Sequence, residues 1–290
     1  MEAFIQYDFL RNAVITGVLI GFTAPVLGVF IVVRRLALIT DALSHITLTG
    51  IAFHLFLSQT LSILTGLSPV YMGMVFAAAG SLLIEKLRLV YTAYQELAVP
   101  IILSSAIGLG VIFISLADGF NQDLFQYLFG SIIAVSRDDL AAVAGITAFV
   151  AVVLILFYNQ LLFIAFDENQ ARVSGIPVKS MNLLFIIMTA LVIATSMQLV
   201  GILLVSSLMT LPVAAALQVA KSFRQMFMYS VIVGESAVIS GMISAFYLDV
   251  SSGGMIVLAA LFLLFSAMMY RRASGRPVYH PGRQKETAAE

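Results

Sequence analysis

Cysteine is absent from the 290 residues. That excludes a disulfide framework, a Cys-ligated zinc site, iron–sulfur ligation and a thiol nucleophile, so any transition metal handled here meets imidazole, carboxylate or backbone oxygen. Charge is scarce as well: Asp, Glu, Lys and Arg make up 10% of the chain, against about 25% in a soluble domain. The charges cancel, 15 basic against 15 acidic, so no excess of one sign argues for nucleic acid or an acidic polymer as partner. Two motifs are missing. Without a G-x-x-x-x-G-K-[ST] loop, ATP hydrolysis by that route needs another chain, and without His-Glu-x-x-His there is no zinc hydrolase of that kind. What remains is apolar: 61% of the residues are hydrophobic and the mean hydropathy is +1.06. Such a chain belongs in a membrane.

A hydrocarbon core about 30 Å thick takes roughly 20 apolar residues per helix. The apolar runs do not alternate with polar residues, as the strands of a membrane barrel would, so the expected fold is all-α, a polytopic helical bundle. The runs fall near 13–33, 41–57, 69–84, 99–116, 139–157, 181–197, 199–220, 228–247 and 254–270. Little but Gln198 separates 181–197 from 199–220, so eight spans and nine both fit. The segment 120–137 is apolar in part but too short to cross, and reads as a re-entrant half-helix. The first run follows Glu2, Asp8 and Arg11, leads into Arg34-Arg35 and has no cleavage pattern, unlike a signal peptide. Residues 1–270 are expected to form one transmembrane domain, and 271–290 a polar, disordered cytoplasmic tail.

Lys and Arg near helix ends favour the cytoplasmic side. With nine spans and the N-terminus outside, thirteen of the fifteen basic residues fall inside: Arg34, Arg35, Lys86, Arg88, Arg172, Lys179, Lys221, Arg224, Arg271, Arg272, Arg276, Arg283 and Lys285. Only Arg11 and Arg137 fall outside, and the C-terminus is inside.

Asp41 and His45 are four residues apart, so on a helix they share one face with Cβ atoms about 5–6 Å apart. A carboxylate and an imidazole at that spacing can share a divalent cation. Two readings stand at this point: metal ligation, or a helix-capping Asp41 with a hydrogen-bonded His45. Two ligands are fewer than the roughly four of a tight zinc site, and a weak site suits a conduit. His54 reads as a hydrogen-bonded histidine near the outer end of its span. Glu235 interrupts the apolar stretch 231–240, and an ionisable group there is a candidate for a pathway, a gate or a structural pair. Asp249 and Asp123 lie near the expected outer surface, where they either attract cations or are ordinary loop carboxylates. The segment 167–175, with Asp167 and Glu168 at its start and Gly175-Ile176-Pro177 as a stop, reads as a short capped helix. In a protein without its own motor, a defined cytoplasmic helix is a docking candidate for one.

Several stretches together resemble one family, the membrane permease subunits of bacterial ABC importers for manganese, zinc or iron. They are the step at 25–28 into Phe30-Ile31-Val32-Val33-Arg34-Arg35, Asp41-Ala42-Leu43-Ser44-His45 with Gly50, Leu128-Phe129-Gly130-Ser131, the 167–177 loop, Val200-Gly201-Ile202-Leu203-Leu204 leading to Leu211-Pro212, and Tyr247-Leu248-Asp249 before Gly253. Within the family, Ile84-Glu85-Lys86-Leu87-Arg88, 113–122 and Leu208-Met209-Thr210-Leu211-Pro212 look most like zinc-uptake permeases of Gram-positive bacteria. Two positions depart from the pattern: Thr49 stands where many members have Pro before the Gly, and Ser251 where many have Pro after the Asp.

The resemblance implies a homodimeric, multi-pass permease of the bacterial plasma membrane, without enzyme activity or a permanent cofactor. It would take zinc, or manganese or iron, from an extracellular metal-binding lipoprotein and be driven by ATP hydrolysed on a cytoplasmic partner subunit. It also implies that Asp41 and His45 are the metal ligands, and that Asp167, Glu168, Ala171 and Gly175 belong to the helix coupled to the ATPase. Ser44, Glu235 and Asp249 remain gate or pathway candidates. The competing expectation is a secondary metal transporter or channel without an ATPase, though no convincing internal repeat supports it.

Overall fold

A computed structural model describes residues 7–60, 66–117, 122–132 and 135–275. Unpaired backbone groups are costly in hydrocarbon, so each apolar run closes its own hydrogen bonds as a helix. In chain order the helices are α1 (Asp8–Val33), α2 (Ala37–Thr60), α3 (Pro69–Val90), α4 (Ala98–Leu116), α5 (Gln122–Phe129), α6 (Arg137–Phe166), α7 (Glu168–Val173), α8 (Val178–Val200), α9 (Ile202–Val219), α10 (Phe223–Leu248) and α11 (Ser252–Ser274). A 3-10 turn, Gln95–Leu97, leads into α4. Among the described residues nine helices are long and apolar enough to cross a membrane; α5 and α7 are not.

Nine rather than eight spans follow from one residue. α8 and α9 are separated only by Gly201, whose φ of +83° is a left-handed geometry that glycine adopts without steric cost. The break lies three residues beyond Gln198. Other helices outrun their apolar runs, because a helix entering water keeps its backbone bonds. α6 bends at Phe157 (φ −111°, ψ 15°) and continues to Phe166, past the polar Tyr158-Asn159-Gln160 where the apolar pattern stops. α2 starts at Ala37 rather than 41. α11 runs through Arg271 and Arg272 to Ser274, capped by Gly275, so the start of the expected tail is helical; residues 276–290, with Arg276, Arg283 and Lys285, lie outside the described residues. Residues 120–121 and 133–134 of the expected half-helix region also lie outside them. Its first half holds α5, whose eight residues reach only about 12 Å.

In a bilayer the lipid tails are as apolar as the side chains, so packing holds the helices together. α1, α2 and α8 are the most enclosed and α6 the least. Near the ends of α1 and α10 that carry Arg34 and Phe223, Phe30 meets Phe185, Phe223 and Phe227 edge-on, with centroids 5.4 to 6.2 Å apart. Each such pair contributes about 0.5–1.5 kcal/mol beyond its buried area.

The opposite end of α8 is built from backbone. Its last carbonyls would be orphaned, but Ser131 donates its N–H to Gln198 O at 2.8 Å, and the Ser252 hydroxyl donates to Leu199 O at 2.6 Å. Gly130, Gly201 and Gly253 let the ends of α5, α8, α9 and α11 meet; a Cβ on Gly253 would strike the Val200 carbonyl.

Candidate metal site

α2 begins immediately after a tight turn. Arg34 caps α1, Arg35 is left-handed (φ 57°), and Leu36 N–H closes on Ile31 O at 2.8 Å. Asp41 and His45 follow in the second and third turns of α2. Both are half-buried, whereas Ala42, Leu43 and Ser44 between them are buried. The pair therefore occupies the side of α2 that continues the exposed Ala37 and Leu38. The Asp41 carboxylate lies close enough to act electrostatically on the His45 imidazole. No group of three or more His, Cys, Asp and Glu placed to hold an ion occurs among the described residues, and the Asp41–His45 pair stands as a two-residue candidate.

One turn beyond His45, the Thr49 hydroxyl lies 2.9 Å from His45 O and 2.7 Å from Ala106 O of α4. The family departure at Thr49 thus leaves α2 continuous and ties it to α4. Ser44 is turned inward, donating its hydroxyl to Thr40 O at 2.9 Å. His54 is 3% exposed with the Leu67 backbone near its imidazole, in keeping with a structural role.

The remaining candidates lie elsewhere. Glu235 is half-buried on α10 with its carboxylate against Gly21 of α1, in a different seam from the open side of α2. Asp249, left-handed at φ 53°, caps α10 and lines a cavity of about 320 Å³ with Phe9, Gly130, Ser131 and Ser252. At the Arg34 end, Asp167 caps α7 by accepting the Gln170 N–H at 2.9 Å. Glu168 pairs with Arg172 at 3.3 Å. Ala171 is fully buried against Ile164, Val178 and Met181, and Gly175 turns the chain at φ +82°.

Sequence reasoning placed Arg34 at the end of the first span but missed its partner: the guanidinium donates to Asn182 Oδ1 on α8 at 2.6 Å. The partners are 148 residues apart, and no local pattern joins them; the only signal was a polar Asn182 inside an apolar run.

The ABC-3 family, described as the ABC 3 transport family, matches residues 6–271. The chain belongs to this family. It is therefore a multi-pass transport component of the plasma membrane and not an enzyme. Among its relatives, a "Probable metal transport system membrane protein" of Treponema pallidum (strain Nichols) is 35% identical, the match covering 90% of this chain and 94% of the relative. The "Manganese import system permease protein ScaB" of Streptococcus gordonii is 34% identical over 92% and 94%. A solved structure of PsaBC from Streptococcus pneumoniae in complex with Fab superposes with a TM-score of 0.80 at 30% identity, covering 94% of this chain and 98% of that one.

Proposed function

We propose that this ABC-3 family member is the permease of an ATP-driven importer for a divalent transition metal, and that Asp41 and His45 are the ligands the ion meets inside the membrane. The observation that carries this reading is the pair itself: one carboxylate and one imidazole on the open side of an otherwise enclosed helix, within the span Ala37–Gln59. Two donors fall short of the roughly four a transition metal takes, and a second copy of the chain would supply the others, which supports a homodimer with the pathway between the copies.

Twelve basic residues are described, and ten lie at the Arg34 end; only Arg11 and Arg137 are at the other. By the charge rule that end faces the cytoplasm, with the N-terminus outside and the C-terminus inside. α7, with Asp167, Glu168, Ala171 and Gly175, is then the surface that meets the ATP-binding subunit. The extracellular metal-binding lipoprotein docks at the Gly201 end, where Asp249 borders the open cavity. Resemblance to Gram-positive zinc-uptake permeases favours zinc as cargo. The names of relatives favour manganese, and His with carboxylate serves both ions.

Asp41→Ala and His45→Ala should each abolish growth under metal limitation while the ATP-binding subunit still co-purifies. Normal growth of both variants overturns the ligand assignment. Rescue of a deletion strain by zinc alone or by manganese alone decides the cargo.

A further inference from the structure

At the Arg34 end a single cation joins elements that carry separate roles in the proposed transport. Besides its bond to Asn182, the Arg34 guanidinium lies over the Phe185 ring of α8, 5.4 Å from its centroid, in cation–π geometry. Its charge also feels Glu168 of α7 and Glu85 and Arg88 of α3. Glu85 and Arg88 form their own pair at 3.7 Å. A cavity of about 60 Å³ lies among Glu85, Arg88, Glu168, Arg172 and Asn182. Burial pulls the guanidinium below its ordinary value; Glu168 raises it, Arg88 lowers it, and Glu85 raises it by the smallest amount. A half-buried cation held by one neutral acceptor and an aromatic face, with carboxylates acting through space, responds to where those carboxylates stand.

The mechanical connections are short. α7 is fixed to α8 through the buried Ala171, Val178 and Met181. Arg34 grips the first turns of α8 and is itself the cap of α1. After it, only Arg35 and Leu36 precede α2, and Asp41 stands in the second turn of that helix.

We propose that Arg34 is the positioning residue that relays movement of α7 and α8 to the Asp41–His45 pair. The proposal rests on the reading of α7 as the element coupled to the ATPase.

The cysteine-free chain allows a single reporter, Leu38→Cys, on the exposed side of α2 three residues before Asp41. In the complete importer in nanodiscs, the rate of maleimide labelling at this position is compared with and without ATP plus vanadate. The parent should show a nucleotide-dependent change. Arg34→Gln should shrink that change about tenfold, the scale of one lost hydrogen bond to a charged group, with the ATP-binding subunit still bound. Arg34→Lys should recover part of the response, and Asn182→Leu, which keeps the cation but removes its acceptor, should show the same tenfold loss and carries the test if Arg34→Gln fails to assemble. A response equal to the parent in Arg34→Gln and Asn182→Leu overturns the relay and leaves the coupling role of α7 standing. No nucleotide response in the parent overturns both.

Discussion

The two ends of α8 are held by different physics. At Gly201, four helix termini meet backbone to backbone through three glycines, and the last carbonyls of α8 are satisfied by Ser131 N–H and the Ser252 hydroxyl. At Asn182, the same helix is held by a long side chain, an aromatic ring and charges at a distance. Backbone contact has one arrangement and no rotamers to adjust. A guanidinium on a flexible stem can be re-paired at modest cost. On the proposed reading, in which the motor acts at the Arg34 end, the Gly201 end would serve as a fixed joint and the Arg34 end as the adjustable one.

The comparison is broken most severely at the joint. Gly253→Val places a branched side chain on the Val200 carbonyl, where no flexible neighbour can yield, and should cost about 3 kcal/mol or more, measured as loss of monodisperse protein in detergent. A wild-type melting midpoint would mean the joint is not fixed. At the other end, Arg34→Met removes a charged hydrogen bond and should cost about 2 kcal/mol, read from the midpoint of thermal unfolding, with the protein still folded. Gly175→Ala meets no atom within 4 Å, so its cost is the left-handed φ alone, about 1 kcal/mol, visible in the same assay. Arg172→Ala breaks an exposed pair whose side chains are 63% and 45% accessible. Its stability cost should stay below about 0.5 kcal/mol and vanish in high salt.

Much of this architecture was legible because the bilayer dictates it. Runs of about twenty apolar residues must be helices, and the short α7 announced itself by Asp167 at its start and Gly175 at its end. Boundaries were less legible: Tyr158-Asn159-Gln160 looked like the exit from lipid, but α6 keeps its hydrogen bonds to Phe166, and the tail expected from residue 271 begins as helix. The Gly201 joint was misplaced at Gln198 because polarity marked the break, whereas the deciding property is a left-handed φ. Asp41 and His45 could be placed on one face from spacing. That their face stays open while Ser44 is packed inward depends on α3 and α4, which no local pattern places. The Arg34–Asn182 bond, the Thr49–Ala106 tie and the seating of Glu235 against Gly21 all join distant parts of the chain, and only the packed bundle brings them together.

The most direct test is uptake of radiolabelled zinc and manganese by proteoliposomes containing the permease, its ATP-binding subunit and the metal-loaded binding protein. Accumulation that requires ATP, and that Asp41→Asn abolishes while the assembled complex still hydrolyses ATP, is the expected result. Accumulation without ATP, or uptake by Asp41→Asn at the parental rate, would contradict an ATP-driven import pathway through Asp41 and His45.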